Sequence, residues 1–75
     1  MDIHEEIMRQ YQTMYRNLKA LRRRENWSIE ELSQRSGIHT ATLENIEREQ
    51  DFELDALFAL CRIYGIKVHE IFAPL

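Results

Sequence analysis

The sequence contains few residues that interrupt helices, with only two glycines and one proline in 75 positions. This shortage argues against a β fold with many tight turns and favours helices. The single cysteine, Cys61, excludes an internal disulfide and any metal site built from several cysteines, so a reducing cytoplasm is the expected location. The longest unbroken apolar run, residues 56–61, is far shorter than the roughly 20 residues of a membrane-spanning helix. Residues 1–15 lack the apolar stretch of a secretory signal, so neither a signal peptide nor a membrane partner is expected.

The charged residues are unevenly distributed along the chain. Residues 1–24 contain six basic and three acidic side chains, whereas residues 25–75 contain four basic and ten acidic ones, for a net charge of −3. A chain that is 44% apolar and 31% charged is typical of a folded globular protein and not of a disordered one. Its length predicts one domain over residues 1–75, with a core small enough to gain from oligomerisation.

Apolar residues recur every three or four positions in several segments, which predicts helices at residues 3–25, 28–36, 40–48, 54–64 and 68–73. Asp2 is expected to cap the first helix, and Ser28 with Glu31 has the spacing of a capping box at the start of the second. Gly37 and Gly65 are expected to end the second and fourth helices, because glycine adopts the left-handed conformation at low cost. The sequence therefore predicts an all-α fold of five helices.

The expected core takes side chains from all five helices: Leu18, Leu21, Trp27, Leu32, Ile38, Leu43, Ile46, Leu57, Leu60, Cys61, Ile66, Ile71 and Phe72. Residues 1–14 are expected to form a helical extension of a core domain at residues 15–75. Four apolar residues of this extension, Ile3, Ile7, Tyr11 and Met14, would either pack against the domain itself or contact a second subunit. The same two possibilities apply to the apolar C-terminal segment, residues 71–75, so either end of the chain could form a dimer.

The residue types that carry catalysis are sparse. His4, His39 and His69 are far apart and lack the i, i+4 spacing of a metal-binding pair, and the chain has no glycine-rich phosphate loop. Cys61 lies on the apolar face of the fourth helix, where a buried and inert thiol is expected. The sequence therefore predicts no enzyme activity, no metal, no cofactor and no small-molecule ligand.

The helices at residues 28–36 and 40–48, joined by the turn at residues 36–38, have the form of a helix-turn-helix. An ordinary αα corner would have the same local pattern. A wider set of positions distinguishes the two. From Arg16 to Phe72 the chain resembles the Cro/repressor-type (XRE) helix-turn-helix family, through Leu18, Leu21, Arg22, Trp27, Ser28, Glu31, Leu32, Gly37, Ile38, Thr42, Leu43, Ile46, Glu47, Leu57, Leu60, Cys61, Tyr64, Gly65, Ile66, Ile71 and Phe72.

The resemblance implies a five-helix, lambda-repressor-like DNA-binding domain, here with an extended N-terminal helix. It also implies a transcriptional regulator that binds double-stranded operator DNA as a homodimer, with its third helix in the major groove. The positions that face the bases then fall at Thr40, Ala41, Glu44 and Asn45.

The resemblance also assigns roles outside the base-facing positions. The family's structural ion pair falls at Arg22 and Glu47. Ser28, at the start of the second helix, is expected to contact a DNA phosphate, whereas the next position, which contacts phosphate in the family, is Ile29 here. Four arginines at the ends of the first three helices would add phosphate contacts, although a basic side chain there also suits the helix dipole: Arg23, Arg24, Arg35 and Arg48.

One segment favours a different function. Glu49, Asp51 and Glu53 follow the third helix, where the DNA backbone would pass, and their carboxylates would repel it. The alternative hypothesis is a helix-turn-helix fold that serves as a protein-interaction module and binds a basic partner through this acidic surface.

Overall fold

A computed structural model describes residues 2–75, so Met1, the first residue of the expected extension, lies outside the described residues. The all-α prediction is confirmed. The elements are four α-helices and a final 3₁₀ helix: α1 Ile3–Arg24, α2 Ile29–Ser36, α3 Thr40–Glu47, α4 Leu54–Tyr64 and the 3₁₀ helix Val68–Phe72. The short last helix expected at residues 68–73 is present as a 3₁₀ helix, so the α-helices within residues 2–75 number four and not five. The 3₁₀ helix ends two residues before Pro74, which leaves no room for a longer helix.

The N-terminal half of α1 extends beyond the rest of the domain. Asp2 caps it, since the Asp2 carboxylate accepts a hydrogen bond from the amide of His4 at 3.2 Å. Its C-terminal half packs into the core through Met14, Leu18 and Leu21, whereas every residue from Asp2 to Gln12 is exposed. α1 is continuous through the residues expected to form an extension, and the last of these, Met14, is buried in the core. The molecule is elongated as a result, with dimensions of 40 × 22 × 19 Å.

A single core lies where the inner faces of the helices meet. Its buried apolar residues are Met14, Leu18, Leu21, Leu32, Leu43, Ile46, Ala56, Leu57, Leu60, Cys61 and Ile71. Four residues that were expected in the core are only half-buried at its margin: Trp27, Ile38, Ile66 and Phe72. These four lie in turns or in the short last helix, where only one side of each chain segment is covered.

A buried polar residue in α1 holds the C-terminal segment of the chain. Asn17 lies in the middle of α1, is 6% exposed, and donates hydrogen bonds from Nδ2 to the carbonyl oxygens of Ile71 and Ala73, at 2.9 and 2.7 Å. Both carbonyls belong to the end of the 3₁₀ helix, which does not pair them internally. The amide of Asn17 therefore fixes the C-terminal segment against α1.

Candidate nucleic-acid interface

The turn between α2 and α3 is held by local hydrogen bonds that the sequence already suggests. Ser28 caps α2 through a capping box, in which its hydroxyl accepts from the amide of Glu31 at 3.0 Å. Gly37 ends α2 in the left-handed conformation, with φ of 75°. Just beyond, Ile38 receives a hydrogen bond from the Ser33 hydroxyl at its carbonyl and donates its amide to the Ser36 hydroxyl. These contacts fix the direction in which α3 leaves the turn.

The two faces of α3 differ sharply in burial. Leu43 and Ile46 are buried and anchor the helix to the core. The four positions that the resemblance assigns to base contacts lie on the opposite face, where Ala41 and Glu44 are exposed and two others are partly exposed, Thr40 and Asn45. The periodicity of an α-helix thus brings all four residues to one outward surface.

An ion pair joins the C-terminal end of α1 to the C-terminal end of α3. Arg22 Nε lies 2.5 Å from Glu47 Oε1, and each side chain is 19% exposed. Arg22 Nη1 also donates to the carbonyl oxygen of Trp27 at 2.8 Å, and Lys19 Nζ lies 3.9 Å from Glu47 Oε2. Because the Arg22 guanidinium is held by two partners, its geometry is that of a brace between helices.

A basic edge runs along one side of the exposed α3 face. Lys19, Arg22, Arg23 and Arg48 line a shallow groove of about 310 Å³ there, beside Glu44 and Glu47. The Arg48 guanidinium lies 3.9 Å from the Glu44 carboxylate, an exposed pair that water and salt screen strongly. The basic edge therefore retains positive side chains that can approach a phosphate backbone.

An acidic edge runs along the other side of the same face. Asn45 borders a cleft of about 480 Å³ between α3 and α4, together with the three carboxylates of Asp51, Glu53 and Asp55. Asn45 itself helps to shape this edge, because its backbone carbonyl accepts from the amide of Gln50 at 2.8 Å. The exposed face of α3 is thus flanked by opposite charges.

The segment that carries the acidic edge is anchored from α1 by Tyr15. The Tyr15 hydroxyl donates to the carbonyl oxygen of Gln50 at 3.0 Å, and the Tyr15 ring meets the Phe52 ring edge to face at 5.9 Å. Burial raises the pKa of Tyr15, and the nearby Asp51 and Glu49 carboxylates raise this pKa further. The negative potential of Asp51 and Glu49 therefore extends to the face of α1 that carries Tyr15.

A comparison with protein families identifies the architecture. A helix-turn-helix family model matches residues 18–71, which is well over half of the chain. The chain belongs to the XRE-type helix-turn-helix family. No similar curated protein was found, and no similar solved structure either. Members of this family are DNA-binding transcriptional regulators, and α2, its turn and α3 are the helix-turn-helix of this one.

The structure does not bring all of the expected phosphate-contacting residues of this helix-turn-helix domain together. Arg23 and Arg48 share the basic edge, and Arg24 is exposed one residue further along α1. Arg35 instead lies over the ring of Trp27, with its guanidinium carbon 4.5 Å from the ring centroid. This contact makes Arg35 part of a cation–π stack outside the groove that the basic edge lines.

Two further results bear on the chemistry of the helix-turn-helix domain. Within residues 2–75 no group of three or more histidine, cysteine or acidic side chains is arranged to hold a metal ion, and no helix is long and apolar enough to span a membrane. Cys61 is free and buried in α4, and burial raises the pKa of its thiol. A buried thiol of this kind packs as a small apolar side chain.

Proposed function

We propose that this helix-turn-helix domain is a sequence-specific regulator that binds operator DNA in the cytoplasm as a homodimer, with α3 in the major groove. The observation that carries the proposal is the outward face of α3. It presents Thr40, Ala41, Glu44 and Asn45 on a helix that the core fixes from behind. A recognition helix needs this combination, because side chains read base edges reliably only when their backbone is held in place.

The four side chains suit different features of the major groove. The Asn45 amide matches the donor and acceptor pair of adenine, and the Glu44 carboxylate can accept from the amino group of cytosine. The methyl groups of Ala41 and Thr40 can contact the methyl group of thymine. Glu44 would have to leave its screened contact with Arg48 to do so, and Arg48 would then be available to a phosphate.

Phosphate contacts would be concentrated on one strand of the duplex. Arg23 and Arg48 lie at the basic edge, and Ser28 caps the start of α2, where amides suit an anion. Arg24 could join them. Arg35 would contribute only by leaving its stack on Trp27. With so few phosphates neutralised, the logarithm of the affinity should fall only shallowly with the logarithm of salt concentration.

The deciding experiment is a selection from random DNA duplexes at low salt, followed by affinity measurements on the enriched sequence. Asn45→Ala should weaken binding to the best site by about 1–3 kcal/mol and relax the preference at one base pair. Gln34→Ala is the matched control, because it removes an exposed amide from α2 and not from the α3 face. No enriched sequence, or equal losses in the two variants, would contradict base reading by α3.

A second candidate function rests on the acidic edge, whose carboxylates would repel DNA and attract a basic protein. A variant with Glu49, Asp51 and Glu53 replaced by lysine separates the two. In the DNA-binding function it should bind all duplexes more tightly, because phosphate contacts position a protein without specifying sequence. If the wild-type domain selects no sequence and the lysine variant gains only sequence-independent affinity, the protein-interaction function becomes the better explanation.

A further inference from the structure

The first three turns of α1 project from the domain with an apolar stripe that none of the domain's own helices buries. Ile3, Ile7 and Tyr11 follow each other at intervals of four residues and are between 44% and 72% exposed. The same stripe continues into the core as Met14 and Leu18, which are buried. Helices in proteins gain most of their stability from packing of the apolar face, and residues 3–11 leave that face largely in water. The projecting turns therefore offer an apolar surface to a partner.

An apolar groove of about 430 Å³ lies beside these turns. Met8 and Tyr11 of α1 form one wall, and Phe52, Leu54, Leu57 and Phe72 form the other. Glu49 and Asp51 lie at the groove's edge and make one end of it polar. Phe58, one helical turn beyond Leu54, is also exposed and extends the apolar surface along α4. The groove is thus open to a ridge of large apolar side chains.

We infer that this groove holds the projecting turns of α1 from a second copy of the chain, in a two-fold symmetric dimer. The inference rests on the homodimer of the proposed function and specifies which surface forms it. Each protomer carries both a ridge and a groove. A two-fold rotation therefore places the ridge of each chain in the groove of the other. Such isologous contacts are the commonest way in which identical chains assemble.

The charged residues of α1 leave its apolar ridge free to enter a groove of this kind. With 100° between successive residues, Glu5, Arg9 and Arg16 lie on the side of the helix opposite Ile7. The ridge that enters the groove is therefore apolar, and the charged side chains of the entering helix stay in water. This arrangement avoids the desolvation of an ion that burial of a charged ridge would require.

The exposed apolar area would supply most of a stable dimer interface. Four exposed side chains of α1 (Ile3, Ile7, Met8 and Tyr11) and two of α4 (Leu54 and Phe58) leave roughly half of their surfaces in water. With about 200 Å² for a large side chain, this gives roughly 600 Å² of apolar surface on each chain. A stable interface buries about 800 Å² per partner, so this surface would supply most of one, and it lies at the upper end of the apolar patches that monomers expose.

Sedimentation equilibrium of the full chain without DNA tests the inference. Ile7→Glu changes the ridge and Leu54→Glu changes the groove, and each should raise the dimer dissociation constant at least about tenfold. Gln12→Glu is the matched control, because it adds the same charge to an exposed position of α1 off the ridge. All three residues are exposed, so the helical content of each variant should equal that of the wild type by circular dichroism.

Three outcomes would overturn the inference: a wild-type chain that sediments as a monomer, glutamate variants that dimerise like the wild type, or an equal loss in the Gln12→Glu control. A monomeric wild type would direct attention to a basic helix from another protein as the occupant. The DNA selection is a separate readout. A dimer that depends on Ile7 and Leu54 but enriches no sequence would contradict the proposed function and leave this interface standing.

Discussion

The hydroxyl of Tyr64 tests the energetic cost of a buried polar group without a hydrogen-bond partner beneath α3. This oxygen is buried at the end of α4 and has no hydrogen-bond partner within residues 2–75. Tyr64 also borders a cavity of only about 10 Å³, together with Ile29 and Glu47, which is at the lower limit of the space that holds a water molecule. Burial raises the pKa of Tyr64 to about 12, with a lowering effect of Arg22 and smaller raising effects of Glu47 and Glu25.

Replacing Tyr64 by phenylalanine should therefore stabilise the domain or leave it unchanged. A buried hydroxyl without a partner costs about 1–3 kcal/mol in proteins, and the aromatic stack with Trp27, at 5.9 Å between ring centroids, survives the change. We expect a gain of about 1 kcal/mol in the free energy of unfolding, measured by urea denaturation at neutral pH.

Tyr15→Phe is the matched control, because the same atom is removed from a hydroxyl that donates to Gln50 at 3.0 Å. This variant should lose about 1 kcal/mol. A loss of more than about 1 kcal/mol in Tyr64→Phe would refute the reasoning, since it would show that the Tyr64 hydroxyl has a partner in solution.

The same residue predicts how stability depends on alkaline pH. The pKa of Tyr64 is 10.0 in the unfolded chain and about 12 in the native state. Below pH 10 this difference does not change the free energy of unfolding. As the pH rises towards 12, the free energy of unfolding falls, because only the unfolded chain releases the proton. The upper bound is about 3 kcal/mol, and screening of a half-buried side chain reduces it to about 1–2 kcal/mol. Denaturation at pH 9, 10 and 11 should show a decline that is shallower in Tyr64→Phe.

Three further substitutions test other parts of the structure. Trp27→Ala should cost about 2–4 kcal/mol in urea denaturation, because it removes a ring that lies between Tyr64 and Arg35, and a loss below about 1 kcal/mol would contradict this packing. Asn17→Leu should cost about 2–4 kcal/mol, since one buried and one partly buried carbonyl lose their donor, and an unchanged stability would show that those carbonyls find other partners. Glu49→Gly should change stability by less than about 1 kcal/mol, because glycine adopts the left-handed conformation of position 49 without strain but gives the unfolded chain more conformational freedom. The same change should tighten DNA binding, because it removes a carboxylate.

The sequence was most informative where structure depends on neighbouring residues. The capping box of Ser28 and Glu31 and the left-handed Gly37 form as expected, and these local signals define both ends of α2. Helical periodicity also predicted the outward face of α3, because burial of Leu43 and Ile46 leaves only one orientation for that helix. Short-range patterns therefore located the helices and their turn, whereas the wider set of positions from Arg16 to Phe72 distinguished a helix-turn-helix from an ordinary αα corner.

The sequence was least informative where a residue depends on a distant partner. Asn17 is buried only because carbonyls more than 50 positions away lie against α1, and no local pattern marks them. Glu49 adopts φ of 59°, a conformation usually taken by glycine or asparagine, so its residue type gave no warning. The resemblance likewise predicted that Trp27 is buried in the turn between the first two helices, whereas the ring is only half-buried, because its depth depends on how the turns pack.

The uneven charge of the sequence becomes an uneven charge across the recognition helix. Lys19, Arg22 and Arg23 come from the basic first third of the chain and form most of the basic edge, whereas Asp51 and Glu53 belong to the acidic remainder and form the opposite edge. The two strands that border a major groove are equally negative, so a single domain gains attraction from one strand and repulsion from the other. In the proposed function, each domain alone would then bind its half-site weakly. Joining two domains makes the second contact intramolecular and raises the affinity without any new contact to DNA. Dimerisation through the projecting turns of α1 would therefore compensate for the acidic edge, and its loss should reduce affinity for a two-site operator far more than affinity for a single half-site.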